Sequence, residues 1–305
     1  MKYKGSITDI RGIKVGSKSD SIGCTGCTAV LFDDLVTAGV DVRGGGPGTL
    51  NTDILDPTTG GGVLDCVILA GGSAYGLGCA AGAMRWLEER GRGFDTGIKR
   101  VPMVSGAIIY DLGIGDQDAR PTETMAYEAC EHASKDVQQG SCGAGTGATV
   151  GKILLERSME KSGQGTASIT LENGITIGAL VVVNALGDVY ENGRILAGAK
   201  GENGCHIDTM KLIEQGEKAN VFGKNTTIGV VATNAKLSVA MARKLAMIAH
   251  DGFAMSIKPV HTLADGDTMF GVSANEIEVG EDINRVLALS AEVTRRAVIN
   301  AVSAD

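Results

Sequence analysis

The stretch GKNTTIGVVATNAKL, residues 223–237, predicts a strand that runs into a helix. Its centre is an apolar run rich in β-branched residues, which is typical of a buried strand. Thr226 stands at the first position of this strand, directly after Asn225. Threonine is common in strands, so one interpretation of Thr226 is purely structural. A second interpretation is that the chain is cut before Thr226, which then becomes an N-terminus.

Helical periodicity follows this strand, with Leu237, Met241, Leu245 and Ile248 on one face. Three more segments show the same period, and they lie near residues 74–90, 122–138 and 282–302. Strand-like runs are found at residues 7–16, 27–34, 35–44, 65–71, 167–173, 175–190 and 226–234. Because strands and helices do not alternate strictly, the pattern favours a layered α/β or α+β sandwich over a series of βαβ units. We expect one compact domain over residues 1–305.

Composition and charge exclude several classes of protein. The 305 residues are 43% apolar and 21% charged, which is ordinary for a globular protein with a sizeable core. The 45 glycines follow no collagen period and indicate many tight turns. A net charge of −8 and the lack of a basic run offer no surface for nucleic acid, so no such partner is expected.

The sequence predicts neither a secretory signal nor a membrane span. Residues 1–16 lack the apolar core of a signal peptide. Residues 67–84 are free of charge but are too rich in Gly and Ser to suggest a membrane-spanning helix. We therefore expect a cytoplasmic protein without a membrane partner.

Three familiar motifs are incomplete. Residues 140–152 resemble a dinucleotide or phosphate loop, but a polar helical run precedes them and Ile153 stands where Ser or Thr would bind magnesium. The sequence GGSAYG, residues 71–76, lacks the closing glycine of a nucleophile elbow. The pair Cys24 and Cys27 has no second pair or nearby histidine to complete a zinc site. The four histidines show no triad or metal spacing, so we assign them no role and expect no cofactor or metal.

An N-terminal threonine needs no histidine, because its own α-amino group has a pKa near 7.7–8 and accepts the hydroxyl proton. Such a terminus would form if the Thr226 hydroxyl attacked the carbonyl of Asn225 and water opened the resulting ester. The products would be fragments 1–225 and 226–305, held together by the shared sheet.

An acidic pair supports the interpretation that Thr226 becomes an N-terminal nucleophile. Asp265 and Asp267 are two residues apart, so in an extended segment both carboxylates point to one side. They could orient the threonine hydroxyl and ammonium and hold a shared proton. A solvated Asp-Gly-Asp turn is the alternative interpretation.

The pattern NTTIGVVATNAKL followed by ADGDTMF resembles the DmpA-type self-cleaving N-terminal-nucleophile hydrolases. The closest resemblance is to their Thr-nucleophile branch, the nylon-oligomer (6-aminohexanoate oligomer) endo-hydrolases. Further matching stretches are ITDIRGIKVG, DVRGGGPGT, ILAGGSAYGL, VPMVSGAIIYDLGIGD, GAGTGATVGK and GALVVVNALGDV. Together they span residues 7 to about 273, which is nearly the whole chain.

The resemblance assigns roles by position. The family nucleophile falls on Thr226, and the acidic motif falls on Asp265 and Asp267. Three further site residues are implied, and they are Tyr110, Lys152 and Asn184. Asn184 and Tyr110 would donate hydrogen bonds to an oxyanion, and Lys152 would hold negative charge near the nucleophile. Taken alone, the same three residues also fit a strand aromatic, a surface charge and a turn former.

The resemblance also implies a fold, an assembly and an activity. The fold is a four-layer α/β/β/α sandwich, and the assembly is a homo-oligomer, expected as a tetramer. The first expectation for activity is a self-processing amide hydrolase that cleaves linear amides or peptides internally, without a cofactor. An aminopeptidase, including β-peptidyl and D-amidase/esterase types, is the second. An N-terminal-threonine acyltransferase and an uncleaved binding protein of the same fold remain open.

Overall fold

The computed structural model describes residues 2–154, 157–218 and 223–304. A mixed nine-stranded sheet forms the centre, in the order β10-β11-β14-β16-β2-β4-β7-β3 with β1 paired to β2. The strands are β1 Ile13–Asp20, β2 Thr25–Val42, β3 Thr49–Leu50, β4 Val63–Ala70, β5 Phe94–Asp95, β6 Arg100–Val101, β7 Val104–Ile108, β8 Thr149–Val150, β9 Glu160–Lys161, β10 Gln164–Thr170, β11 Thr176–Asn184, β12 Asp188–Glu191, β13 Arg194–Ala197, β14 Thr226–Lys236, β15 Ile257–Lys258 and β16 Thr268–Glu278. The helices are α1 Ala80–Glu89, α2 Glu123–Glu131, α3 Thr209–Glu214, α4 Val239–Ala254 and α5 Ile283–Ala301.

The long strand β2 joins two halves of this sheet. Its first half pairs with β1, where Thr25 lies opposite Asp20, and its second half pairs with β16, where Val42 lies opposite Thr268. A register shift between Leu31 and Val36 interrupts its pairing with β4. Such an irregularity bends a strand and lets one strand serve two layers.

Side chains on alternate positions of the strands enter different hydrophobic cores. Leu180 and Val182 of β11 and Val230 of β14 belong to an inner core that also contains Phe32 and Val67 from the other half of the sheet. Successive side chains of a strand point to opposite faces, so the residues between these positions face outward. The inner core therefore lies between two β layers.

Helices cover both outer faces. One outer core contains Val181, Val231, Leu245, Phe253 and Val293, and places α4 and α5 against β11 and β14. The other outer core contains side chains of β2, β4, α1 and α2, and these are Ala29, Cys66, Ile68, Ala83 and Ala129. The order of layers is α, β, β, α, which confirms the predicted sandwich.

Local capping explains where two of the helices begin. The side chains of Ser238 and Thr122 accept hydrogen bonds from the main-chain N–H groups of Met241 and Met125, which otherwise lack partners in the first turn. Helix α2 is shorter than the 122–138 expected from its period. It ends at Glu131 because the chain turns to pair with the edge of the sheet, where Ser134 and Val15 exchange both main-chain hydrogen bonds.

Strand β14 lies between antiparallel β11 and parallel β16, so its first residue is surrounded by protein. Thr226 is opposite Asn184 on β11, and Asn225 forms a parallel bridge with Asp265 just before β16. In the segment before Asn225, residues 219–222 lie outside the described residues. In the described ranges, no helix is both long enough and apolar enough to span a bilayer.

Candidate active site

Two donors converge on the main-chain carbonyl of Asn225. The Thr226 hydroxyl donates to its oxygen, and the N–H of Gly266 donates to the same oxygen at 2.9 Å. Asn225 and Thr226 are both buried. A Cβ at residue 266 would lie 2.8 Å from Thr226 Oγ1, so only glycine lets the segment approach this closely. The arrangement polarises the Asn225 carbonyl and places a hydroxyl beside it.

The acidic pair lies in the segment that follows α4 and precedes β16. Asp267 Oδ1 accepts the N–H of Thr227 at 2.6 Å, and Asp265 Oδ2 accepts the hydroxyl and N–H of Thr262 at 2.6 and 2.8 Å. Both aspartates are 1% exposed, which is incompatible with a solvated turn. Within the described residues, neither carboxylate accepts a hydrogen bond from the Thr226 hydroxyl, and only the Asp267 carboxylate binds the main chain at the start of β14.

Gly44 explains how a third segment packs beside the acidic pair. The N–H groups of Gly44 and Gly46 donate to the main-chain oxygens of Asp267 and Asp265, at 3.3 and 2.8 Å. A Cβ on Gly44 would lie 2.4 Å from the Asp265 oxygen. The glycine-rich stretch DVRGGGPGT therefore contributes backbone donors and close approach.

Lys152 enters the site from the loop after β8. Its ammonium donates to the Oδ1 and main-chain oxygen of Asn184 at 2.6 and 2.8 Å, and to the carbonyl of Lys224 at 3.1 Å. The residue is buried, so it is not a surface charge. It links the end of β11 to the residue that precedes Asn225.

Asn184 contacts both Lys152 and Tyr110, but it contacts Tyr110 only through the main chain. The Asn184 amide Nδ2 donates to the main-chain oxygen of Tyr110 at 2.8 Å, and its Oδ1 also accepts the N–H of Thr149 at 3.1 Å. Tyr110 itself is half-buried, and its hydroxyl makes no hydrogen bond within the described part of the chain. The side chains of Lys152 and Asn184 thus contact each other, whereas Tyr110 joins them only through its backbone.

Burial moves the pKa values of two site residues toward neutral pH. It lowers the pKa of Lys152 to about 7, although the charges of Asp265 and Asp111 act in the opposite direction. It also raises the pKa of Asp265 to about 6, assisted by the charge of Asp267. Groups that titrate near neutral pH are suited to accept and release protons during amide hydrolysis.

Two residues at the site were not expected from the sequence. Asp111, next to Tyr110, is buried, accepts the N–H of Gly72 and the hydroxyl of Thr25 at 2.6 and 2.7 Å, and acts electrostatically on Lys152. Burial raises the pKa of Asp111. His261 donates from its ring to Asp267 at 2.7 Å. Its place four residues before Asp265 is the one signal in the sequence, and no second histidine or triad spacing accompanies it.

The sequence pattern of peptidase family S58 matches residues 5–305 of this chain. The chain belongs to peptidase family S58. This membership confirms the predicted resemblance to the DmpA family, and it makes the protein a hydrolase of amide bonds.

Relatives of this S58 peptidase are named either as aminopeptidases or as oligomer endohydrolases. An uncharacterized aminopeptidase of Mycobacterium bovis is 41% identical over 98% of this chain and 90% of its own length. A 6-aminohexanoate-oligomer endohydrolase of Kocuria sp. is 31% identical over 89% of this chain and 75% of its own length.

Solved structures share the fold of the S58 chain. The L-aminopeptidase D-Ala-esterase/amidase of Ochrobactrum anthropi, a variant of the Ntn hydrolase fold, has a TM-score of 0.74 at 22% identity, and the match covers 97% of this chain and 85% of that one. The β-aminopeptidase of Burkholderia sp. has a TM-score of 0.72 at 20% identity, with the same coverage.

Proposed function

We propose that this protein is a self-processing amide hydrolase whose nucleophile is Thr226. The observation that carries the proposal is the convergence of the Thr226 hydroxyl and the Gly266 N–H on the carbonyl of Asn225. A hydroxyl and an oxyanion donor at one carbonyl are the two elements that acyl transfer requires.

The first reaction is the cut itself. Thr226 Oγ1 attacks the carbonyl carbon of Asn225, and the Gly266 N–H stabilises the negative charge that develops on the oxygen. The bond between Asn225 and the Thr226 nitrogen then breaks, the nitrogen takes up the proton that left Oγ1, and an ester links the two residues. Water hydrolyses this ester, which leaves a carboxylate on residue 225 and a free amine on Thr226. Lys152 supports the step by holding the carbonyl of Lys224, one residue before the scissile bond.

The second reaction is turnover of the substrate. The new α-amine accepts the proton of Thr226 Oγ1, which attacks the substrate amide and releases the amine product. Water then hydrolyses the acyl-enzyme ester. Asp265 and Asp267 fix the segment beside the nucleophile, and the Asn184 amide and the Lys152 ammonium supply donors for the developing charge.

The proposed substrates are linear amides cut internally, such as ω-amino-acid oligomers or related peptides. The Asn225–Thr226 and Asp265–Asp267 pairs support this choice, and a 31% identical relative is named an oligomer endohydrolase. An aminopeptidase is the second candidate, because a relative at 41% identity is named an aminopeptidase. Release of p-nitroaniline from free amino-acyl anilides, without cleavage of blocked oligoamides, would favour the aminopeptidase. Cleavage of blocked oligoamides without release of p-nitroaniline would favour the endohydrolase.

Intact-mass analysis of the purified protein tests the nucleophile and the cut together. We expect fragments 1–225 and 226–305 from the wild-type chain, and one full-length, inactive chain from Thr226→Ala. Thr227→Val is the matched control, since the buried Thr227 hydroxyl has no hydrogen-bond partner in the described ranges. This control should be cut and remain active. Fully active wild-type protein in one piece, or normal amide turnover by Thr226→Ala, would refute the proposal.

A further inference from the structure

His261 makes two hydrogen bonds to one carboxylate oxygen of the acidic pair. Its ring Nδ1 and its main-chain N–H donate to Asp267 Oδ2 at 2.7 and 3.1 Å. In this arrangement the residue has a φ of +60°, a conformation that is uncommon for residues other than glycine, although Asn, Asp and His adopt it more often than the rest. A residue kept in this region is held there by its surroundings, and the two bonds to Asp267 are among its contacts.

The other oxygen of Asp267 acts on the strand that carries the proposed nucleophile. Asp267 Oδ1 accepts the N–H of Thr227 at 2.6 Å. A continuous series of hydrogen bonds therefore runs from the His261 ring through one carboxylate to the residue next to Thr226. Rotation of that carboxylate would break its hydrogen bond to the N–H of Thr227 at the start of β14.

Aromatic packing keeps the His261 ring in place. The ring of His250, on α4, meets it edge to face with centroids 4.8 Å apart, and Phe253 lies 6.3 Å away. His250 is itself anchored by Nε2 to the main-chain oxygen of Asp41 on β2, at 3.0 Å. The His261 ring is thus supported by α4, which is itself tied to β2, and neither element contains the acidic pair.

We propose that His261 is a positioning residue, whose ring N–H orients the Asp267 carboxylate so that it fixes the start of β14 and the Thr226 hydroxyl beside its target carbonyl. The inference rests on the proposed function of Thr226. It assigns the ring proton to Nδ1, because a carboxylate oxygen accepts it. His261 is not assigned the role of base, since its ring is bonded to Asp267 and, within the described residues, makes no hydrogen bond to Thr226.

Amide substitutions provide the sharpest test. His261→Asn keeps an N–H donor close to the position of Nδ1 and tolerates the positive φ, whereas His261→Gln moves the donor and His261→Phe removes it. We expect the Asn variant to be cut and to turn over amides within about threefold of wild type. The Gln and Phe variants should lose on the order of 10²-fold in the rate of self-cleavage and in kcat, as expected for a displaced reacting group. KM should change little, because His261 does not touch the substrate.

The measurements are time-resolved intact mass for the cut, steady-state kinetics for turnover, and thermal unfolding for the fold. His132→Asn, at the exposed end of α2, is the control and should behave as wild type. Wild-type rates in the Phe and Gln variants, or equal losses in Asn and Gln at similar thermal midpoints, would overturn the proposal. If Phe does not fold, the comparison of Asn with Gln decides, and unfolding of all three would assign His261 a purely structural role. Turnover by Thr226→Ala in the same assay would instead overturn the proposed nucleophile.

Discussion

Strand β14 is held at both ends by buried polar groups, but the two ends differ in charge. At the C-terminal end, Asn234 and Thr233 bond the main chain of Thr176 at 2.8 and 2.9 Å, and both side chains are neutral. At the N-terminal end, the corresponding contacts come from ionisable residues, Lys152 and Asp267 among them.

The C-terminal end shows that neutral amides and hydroxyls are enough to satisfy a strand end in this protein. Ionisable groups cost more free energy to bury than neutral ones, even when they are paired. We therefore infer that the buried charges at the N-terminal end serve a function other than fixing the end of the strand. Self-cleavage and amide hydrolysis at Thr226 would supply that function.

Substitution of one lysine near each end of β14 provides the strongest test of this comparison. Lys152→Met keeps a similar volume but removes the ammonium that binds Asn184 and the carbonyl of Lys224. We expect self-cleavage and amide turnover to fall on the order of 10²-fold or more, as for the loss of an oxyanion donor. Lys236→Met removes an exposed ion pair with Glu278 at the other end and should change both rates less than about twofold.

The measurement is the half-time of fragment formation by intact mass, together with initial rates on an amide substrate. Equal effects of the two lysine substitutions would break the comparison. It would also fail if Lys152→Met matured normally and turned over substrate at the wild-type rate, because the buried charge would then be unrelated to the chemistry.

A smaller effect is expected from the glycine between the two aspartates. In Gly266→Ala the new Cβ would lie 2.8 Å from Thr226 Oγ1 and 2.9 Å from the oxygen of Gly46, so the N–H and the hydroxyl must move apart. We expect self-cleavage to slow by about tenfold, since both groups act on one carbonyl. Gly60→Ala, where a Cβ meets nothing within 4 Å, is the control. An unchanged half-time in Gly266→Ala would mean that the close approach of residue 266 to the Thr226 hydroxyl is not needed for the cut.

The main layers of the fold could be predicted from local pattern. The buried run of β14 and the apolar face of α4 coincide with their predicted positions, because period and capping are both contained in nearby residues. Long-range pairing was harder to predict. The expected strands at 27–34 and 35–44 are one bent strand, β2, whose continuity depends on β1, β4 and β16.

The candidate site was only partly accessible to sequence reasoning. Thr226, Asp265 and Asp267 stand in short motifs whose chemistry is recognisable from residue type. His261 acquires its significance from a positive φ and from the His250 ring that packs against it, and neither is visible in the spacing of histidines. The burial of Lys152 likewise results from the meeting of β11 with the loop before Thr226, two segments far apart in the chain.

The smallest expected effect concerns stability and pH, and it again separates the two lysines. Burial lowers the pKa of folded Lys152 to about 7 from its usual 10.5. Between these values the unfolded chain binds more protons than the folded one, so the free energy of unfolding should rise as the pH is raised from 7 toward 10.

In the uncut Thr226→Ala chain, thermal unfolding measures this contribution by comparison with Thr226→Ala/Lys152→Met. We expect the midpoint of Thr226→Ala to rise relative to the double variant by about 2–4 °C over that range. Thr226→Ala/Lys236→Met should follow Thr226→Ala at every pH, because Lys236 is exposed. A relative midpoint that stays flat or falls would mean that the negative charges of Asp265 and Asp111 stabilise the ammonium as much as burial destabilises it. The N-terminal end of β14 would then be a balanced ionic cluster, and its charge would no longer distinguish it from the C-terminal end.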